Sequence, residues 1–213
     1  MILIALHGDP GSGKDSIGDY LVREHGFVRL AFADRLKQMC EALDPVVTYE
    51  VDRQTIAEFA DYTDLNFEEM KLSVPTLRPV RLLEAVGRYG WDEAKRKYPE
   101  VRRTQQRLAT EVVRDMIDPM YWVDYIEKQF ETSASIVITD LRFPNEARLV
   151  TSWIGEIWWV TRKDNPYPSL GANAAHVSEQ WHPEKFVPIA NDGDLEDLYV
   201  QVEMILTGAE IDV

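Results

Sequence analysis

Residues 1–16, MILIALHGDPGSGKDS, decide the fold: a short apolar run is broken by glycines and a proline, and a lysine then opens an amphipathic stretch. An apolar run bounded in this way suits a buried parallel strand. Ile17, Tyr20 and Leu21 fall on one face of a helix that closes at Gly26. Between strand and helix, Gly8, Gly13 and Lys14 meet the template G-x-x-x-x-G-K-[ST] of a phosphate-binding loop, except that Asp15 stands where a hydroxyl is expected. Such a loop turns backbone N–H groups toward an anion, and the helix dipole adds about 0.3–1 kcal/mol per favourable charge. Lys14 supplies a mobile cation for the β- and γ-phosphates of a nucleoside triphosphate. Ser16 cannot replace the missing hydroxyl, because one step along a helix turns the side chain by about 100°. The Asp15 carboxylate can bind magnesium directly or through water and is favourable in a first helical turn. Gly8, Gly11, Ser12, Gly13, Lys14, Asp15 and Ser16 are therefore the expected ATP-binding loop, with Mg2+ accompanying ATP.

At 213 residues and 45% hydrophobic, the chain can bury a core of its own. A net charge of -14 argues against nucleic acid or an anionic membrane as the main partner. The single cysteine, Cys40, sits at helical spacing with Leu36, Met39 and Leu43 and reads as a core residue. The apolar run 1–6 has no basic flank and is too short for a signal or membrane segment, so a soluble intracellular protein is expected.

Further along, "FVRLAF" (27–32) reads as a strand and Asp34 as the cap of the helix carrying Cys40. Residues 44–79 lack periodicity and hold Pro45, Pro75 and Pro79, which predicts an irregular or inserted region. In the helical block that follows, Leu108, Val112 and Met116 form an apolar stripe. Arg103, Arg107, Thr110 and Arg114 recur on another face. Asp118 and Pro119 read as the cap and first residue of the next helix. "IVITD" (136–140) and "EIWWV" (156–160) are buried strands separated by a helix ending near Trp153. A long stretch, 162–188, has little periodicity, which marks it as functional or disordered. "VPIA" (187–190) is the last strand, and Leu195, Leu198, Val202 and Ile205 are the buried stripe of a final helix. Repeated strand–helix alternation predicts a three-layer α/β fold with a mainly parallel sheet of about five strands.

"SGKDS", "RLATEVVRDMIDPMYWV", "IVITDLRFPNEARLV", "HVSEQ" and "IANDGDLEDL", in that order, resemble the deoxynucleoside monophosphate kinases of tailed bacteriophages. The resemblance runs from the first strand to the last helix and is weakest across 44–100. It implies a single P-loop kinase domain over 1–213, with a helical acceptor-binding region at 44–118 and a lid at 162–188. It also implies phosphoryl transfer from ATP to a deoxynucleoside monophosphate in the cytoplasm of an infected host. Aspartate after the loop lysine is a feature of that family, so Asp15 reads as a variant and not a lesion.

Joining two polyanions needs positive charge and alignment more than a base. Between Arg78 and Arg107 there are nine Lys and Arg against four acids, a local +5. Lys95, Arg96 and Lys97 read as a solvated face. Arg103, Gln106, Arg107 and Thr110, on adjacent turns, are the candidate monophosphate and base contacts. Asp140 lies at a strand's carboxyl end, where ligands of open α/β sheets bind. It is open to three readings: holding a magnesium water, orienting an arginine, or capping the following turn. Arg142 is the candidate for the transferring phosphoryl group, which makes Lys14, Asp15 and Arg142 the catalytic set. Glu146 and Arg148 brace the loop. Arg162 sits at the base of the lid; His176, Ser178 and Glu179 either line the closed site or cap a short helix. Asn191, Asp192 and Gly193 form a turn before the Asp194 cap, and the resemblance would lay them against the adenine of ATP. Trp122 is the candidate for stacking on the acceptor base.

Two other functions remain open at this point. One is a different P-loop kinase acting on a metabolite phosphate or dephospho-coenzyme A; the other is a nucleotide-gated switch. Against the switch, the chain has no N-K-x-D motif and no acidic pair after "IVIT". Base choice, deoxy selectivity and dimerisation are not written in the sequence.

Overall fold

Strand β1 (Leu3–His7) is buried along its whole length, as a central strand of a parallel sheet must be. The computed structural model describes residues 2–51, 77–130, 134–165 and 181–208. After β1 come α1 (Lys14–His25), β2 (Val28–Leu30), α2 (Phe32–Leu43), β3 (Val46–Val51) and β4 (Leu77–Arg81). Then follow α3 (Leu82–Lys97), α4 (Pro99–Arg107), a π-helix π1 (Leu108–Ile117) and α5 (Tyr121–Glu127). The last elements are β5 (Ile136–Ile138), α6 (Pro144–Ser152), β6 (Glu156–Thr161), β7 (Val187–Ala190) and α7 (Leu195–Thr207). The chain divides into two units, one of Met1–Arg35 with Asp118–Val213 and one of Leu36–Ile117.

The first unit is built on a five-stranded sheet of order β2-β5-β1-β6-β7, every pairing parallel. β1 is flanked by β5 and β6: Ala5 lies opposite both Ile138 and Ile157. Ile4, Leu6, Val137, Trp158, Val160 and Ile189 of the sheet pack with Ile17 and Leu21 of α1 and Leu198 and Val202 of α7. Each such side chain contributes about 1.5–3 kcal/mol on burial. All the strands run the same way, so the segments after β1, β5, β6 and β7 leave one edge of the sheet, where ligands of open α/β sheets bind. The expected mainly parallel α/β fold is the observed one.

The second unit has its own core, of Cys40, Val47, Val80, Leu82, Ala94 and Val101. The described ends of the stretch expected to be irregular, 44–79, instead form an antiparallel pair, β3 with β4. A register shift between Val46 and Thr48 breaks the alternation that would have marked β3, and Pro79 disguises β4, although proline is tolerated in an edge strand. The stripe of Leu108, Val112 and Met116 also fails. Met116 is 78% exposed, and Val113 is the residue in the core. The segment winds as a π-helix, whose wider turn, with backbone bonds from i to i+5, takes the buried face off the α-helical spacing. The next helix begins at Tyr121 and not at Pro119; the Asp118 carboxylate accepts the Met120 N–H in the turn before it. No described helix is long and apolar enough to cross a membrane.

Candidate active site

Residues 8–13 join β1 to α1 as a loop whose glycines adopt backbone angles closed to other residues. Gly13 has φ +110, and a Cβ there would fall 2.4 Å from Asn191 Nδ2. Gly8 has φ +144, and its Cβ would meet the Val160 carbonyl oxygen at 2.2 Å. Ser12 is buried, its N–H bonded to the Asp9 carbonyl. Lys14 folds back over the loop and donates to the carbonyls of Gly8 (2.7 Å) and Asp9 (2.6 Å). Burial, with the nearby Arg142 charge adding to it, pulls the Lys14 ammonium down to about 8. The lysine thus rests on neutral oxygens and stays poised for an anion. Asp15 is exposed in the first turn of α1, and Ser16 follows it half-buried.

A cavity of about 150 Å³ opens beside the loop, lined among others by His7, Ser12, Arg142, Trp159, Arg162 and His182. Arg142, expected at the transferring phosphoryl group, and Arg162, expected at the base of the lid, therefore share one cavity with the loop. Among the described residues neither arginine pairs with a carboxylate. Glu146 holds the backbone beneath Arg142: its buried carboxylate accepts the N–H groups of Arg142 (2.8 Å) and Phe143 (3.1 Å). That is the bracing role expected of it.

Asp140 does something the sequence did not reveal. Its two carboxylate oxygens accept the N–H groups of Phe32 (2.9 Å) and Ala33 (2.8 Å), capping α2 from across the chain. Burial raises its pKa, against the opposing pull of those two N–H groups and of Arg142. The expected cap of its own following turn is thus replaced by a cap of another helix. Asp34, expected to cap α2, lies inside the first turn and pairs with Arg29 at 2.8 Å. The geometry gives Asp140 a tie to α2.

His7 was also missed. Its Nδ1 lies 3.1 Å from the Leu141 carbonyl, which can only accept, so Nδ1 carries the proton and Nε2 accepts from His182 Nδ1 at 3.3 Å. Burial, with the charges of Lys14 and Arg142 among lesser causes, lowers its pKa and keeps it neutral. His182 stacks on Trp159 at 4.8 Å. His7 was open to discovery, because it stands at the carboxyl end of β1 directly before Gly8. Trp159 and His182 carry no sequence signal that would pair them.

Asn191 is buried, and its side-chain amide donates to the Ser12 carbonyl at 2.8 Å while its backbone N–H donates to Thr161. Asp192 accepts the Lys163 N–H at 2.8 Å and pairs with its ammonium at 3.1 Å, which lowers the Asp192 pKa. Gly193 packs against Asp197, and Asp194 caps α7 by accepting from Glu196 and Asp197. The turn-and-cap reading of this segment is what the structure contains. Trp122 is 2% exposed and packs edge-on to Tyr121 at 5.0 Å, so its ring is core and has no face open to a base. In the second unit Arg103 pairs with Glu100 and Arg107 with Glu111, each at 2.9 Å on an exposed face, while Gln106 and Thr110 are half-buried. His176, Ser178, Glu179 and most of the expected lid lie outside the described residues.

For magnesium, the donor set is thin. No described group of three His, Cys, Asp or Glu could hold a metal alone. Asp15, an exposed carboxylate next to Lys14, fits an ion that arrives already bound to phosphates.

A glycine loop between the first strand and first helix of a parallel sheet, with a lysine on it and two arginines in the adjoining cavity, defines a P-loop protein that holds a nucleoside triphosphate. The chain belongs to the deoxynucleotide monophosphate kinase family, whose model matches residues 91–202. That span contains Arg142, Arg162 and Asn191 but not the loop, so loop and family are independent lines. Over 97% of this chain and the whole of the relative, it is 26% identical to "Deoxynucleotide monophosphate kinase" of Escherichia phage RB69. It is 22% identical to the enzyme of the same name from Enterobacteria phage T4, over 97% of this chain and 99% of the relative. Among solved structures it is similar to TT1252 from Thermus thermophilus (18% identity, covering 99% and 98% of the two chains), with a TM-score of 0.39, too loose a likeness to bear on the fold.

Proposed function

We propose that this protein transfers the γ-phosphoryl group of ATP to a deoxynucleoside monophosphate, giving ADP and the deoxynucleoside diphosphate, in the cytoplasm of a phage-infected cell. The observation that carries this reading is the convergence of the Gly8–Gly13 loop, Arg142 and Arg162 on one cavity of about 150 Å³ in a member of this family. An acceptor phosphate has a second pKa of about 6, so it is already a nucleophile at neutral pH and needs no base. The residues then have electrostatic work to do. The loop N–H groups and Lys14 hold the β- and γ-phosphates. Arg142 follows the charge of the phosphoryl group as it passes from the leaving oxygen to the acceptor, and Arg162 steadies the donor from the carboxyl end of β6, on the other side of β1. Asp15 holds Mg2+, which neutralises phosphate charge when bound. Arg103, Gln106, Arg107 and Thr110 take the acceptor, each arginine releasing the glutamate that it now pairs with.

The test is a coupled assay with ATP and magnesium against deoxy- and ribonucleoside monophosphates, coenzyme precursors and a no-acceptor control. Turnover with deoxynucleotides and little bare hydrolysis is the expected result. Turnover only with a coenzyme precursor, or tight ATP binding with no acceptor used, overturns the proposal.

A further inference from the structure

Asn191 was expected among the ATP contacts, yet its side chain is turned inward. It is 7% exposed, and its Nδ2 is spent on the Ser12 carbonyl at 2.8 Å, 179 residues away in sequence. The same Nδ2 fills the space that a Cβ on Gly13 would need, at 2.4 Å. One atom, Asn191 Nδ2, thus lies against the Gly13 end of the Ser12–Gly13 peptide and bonds its carbonyl, which holds the plane of that peptide. In a trans peptide the C=O and N–H point in opposite directions. Holding the Ser12 oxygen toward Asn191 therefore aims the Gly13 N–H away from it, and among the described residues no backbone carbonyl takes that N–H. Asn191 is itself anchored, its own N–H bonded to Thr161 at 2.8 Å just beyond β7. We infer that Asn191 is a positioning residue of the phosphate loop, which sets the donor-phosphate N–H array from β7 without touching nucleotide.

This rests on the triphosphate occupying the loop, as proposed above, and it is tested by affinity so that it does not depend on which acceptor is used. The affinity of MgATP and the melting temperature are measured for the wild type, Asn191→Ala, Asn191→Asp and Gln201→Ala. Asn191→Asp keeps the shape but sets an acceptor against the Ser12 oxygen. Gln201 is the control for structural loss, because it ties the same strand end through the Ala190 N–H (3.3 Å) and carbonyl (3.0 Å) and reaches no loop residue. Asn191→Ala is expected to weaken MgATP by about tenfold or more, and Asn191→Asp by at least as much. Gln201→Ala should lower the melting temperature and leave affinity intact, and in the kinase assay the asparagine variants should raise the ATP KM and spare the acceptor KM. If both asparagine variants bind MgATP as the wild type does, or if Gln201→Ala loses as much affinity as they do, the inference is overturned. A wild type that binds MgATP but phosphorylates no deoxynucleotide sinks the functional reading, while the affinity series still decides this one.

Discussion

The cavity beside the phosphate loop and the basic stretch of the second unit treat positive charge in opposite ways. In the basic stretch of the second unit most cations meet a carboxylate: Arg78 and Arg88 are both shared between Glu50 and Glu84, Lys95 pairs with Asp92, Arg96 with Glu93, Arg103 with Glu100 and Arg107 with Glu111. At the loop, Lys14 rests on backbone carbonyls, and Arg142 and Arg162 line the cavity with no carboxylate partner among the described residues, although other cations of that unit, such as Arg29 and Lys163, are paired. The stretch with the largest basic surplus is thus the one whose charges are locally answered, and the acidic remainder of the chain holds the cations kept for an anion. Charge counted along a sequence does not locate a field; charge left without a counter-charge does. Exposed pairs such as Arg103–Glu100 are worth about 0–1 kcal/mol, so an incoming phosphate can exchange into them. On the proposed reading, the donor side is preset and the acceptor side must trade partners.

The contrast breaks first at Arg142. Arg142→Ala should lower kcat by about 10³ or more with the fold unchanged, and a loss of only a few-fold would make it a bystander to the cavity. Lys14→Ala should cost on the order of 10²–10³ in kcat. The same lysine predicts a pH effect: its ammonium, lowered to about 8, has lost half its charge by that pH and nearly all of it a unit or more above, while phosphate binding requires the charged form. ATP affinity should therefore be constant below pH 8 and fall by about tenfold per unit above it, and a flat profile to pH 9.5 would show that Lys14 does not meet the phosphates. Arg103→Ala should raise the deoxynucleotide KM by about tenfold and leave the ATP KM alone. Glu100→Gln, which frees Arg103 from its partner, should lower that KM slightly; if neither change registers in kinetics, the helix is ordinary surface. The smallest effect belongs to Asp15→Asn, which should raise the magnesium concentration for half-maximal rate more than the acceptor KM, as a magnesium titration of the rate will show.

What the sequence made legible was local. Strand β1, the loop and α1 are contiguous, and each carries its own signal: apolar run, glycines, then helical spacing to Gly26. Strand β7 was read at its observed bounds, Val187–Ala190, because turn residues bracket it. What stayed hidden depends on partners far along the chain. The Asp140 cap on α2 joins residues 108 apart, and the Asn191 bond to Ser12 joins residues 179 apart. The face of Arg103, Arg107, Thr110 and Arg114 was drawn on α-helical geometry, which ends at Arg107 where the π-helix begins. No propensity in "LATEVVRDMI" announces that change of pitch. Trp122 misled for a plainer reason, since an aromatic beside a helix start looks the same in sequence whether it faces a ligand or a core.

The clasp between Asn191 and Ser12 also sets an order of events during synthesis. The loop leaves the ribosome well before the residue that fixes its Ser12–Gly13 peptide, which follows Ser12 by 179 residues. A nascent chain would carry the whole glycine motif through the translation of those intervening residues without the means to hold that motif in shape. Competence for nucleotide would then come late, with β7 seated beside β6, so a chain cut short before that strand would not sequester ATP.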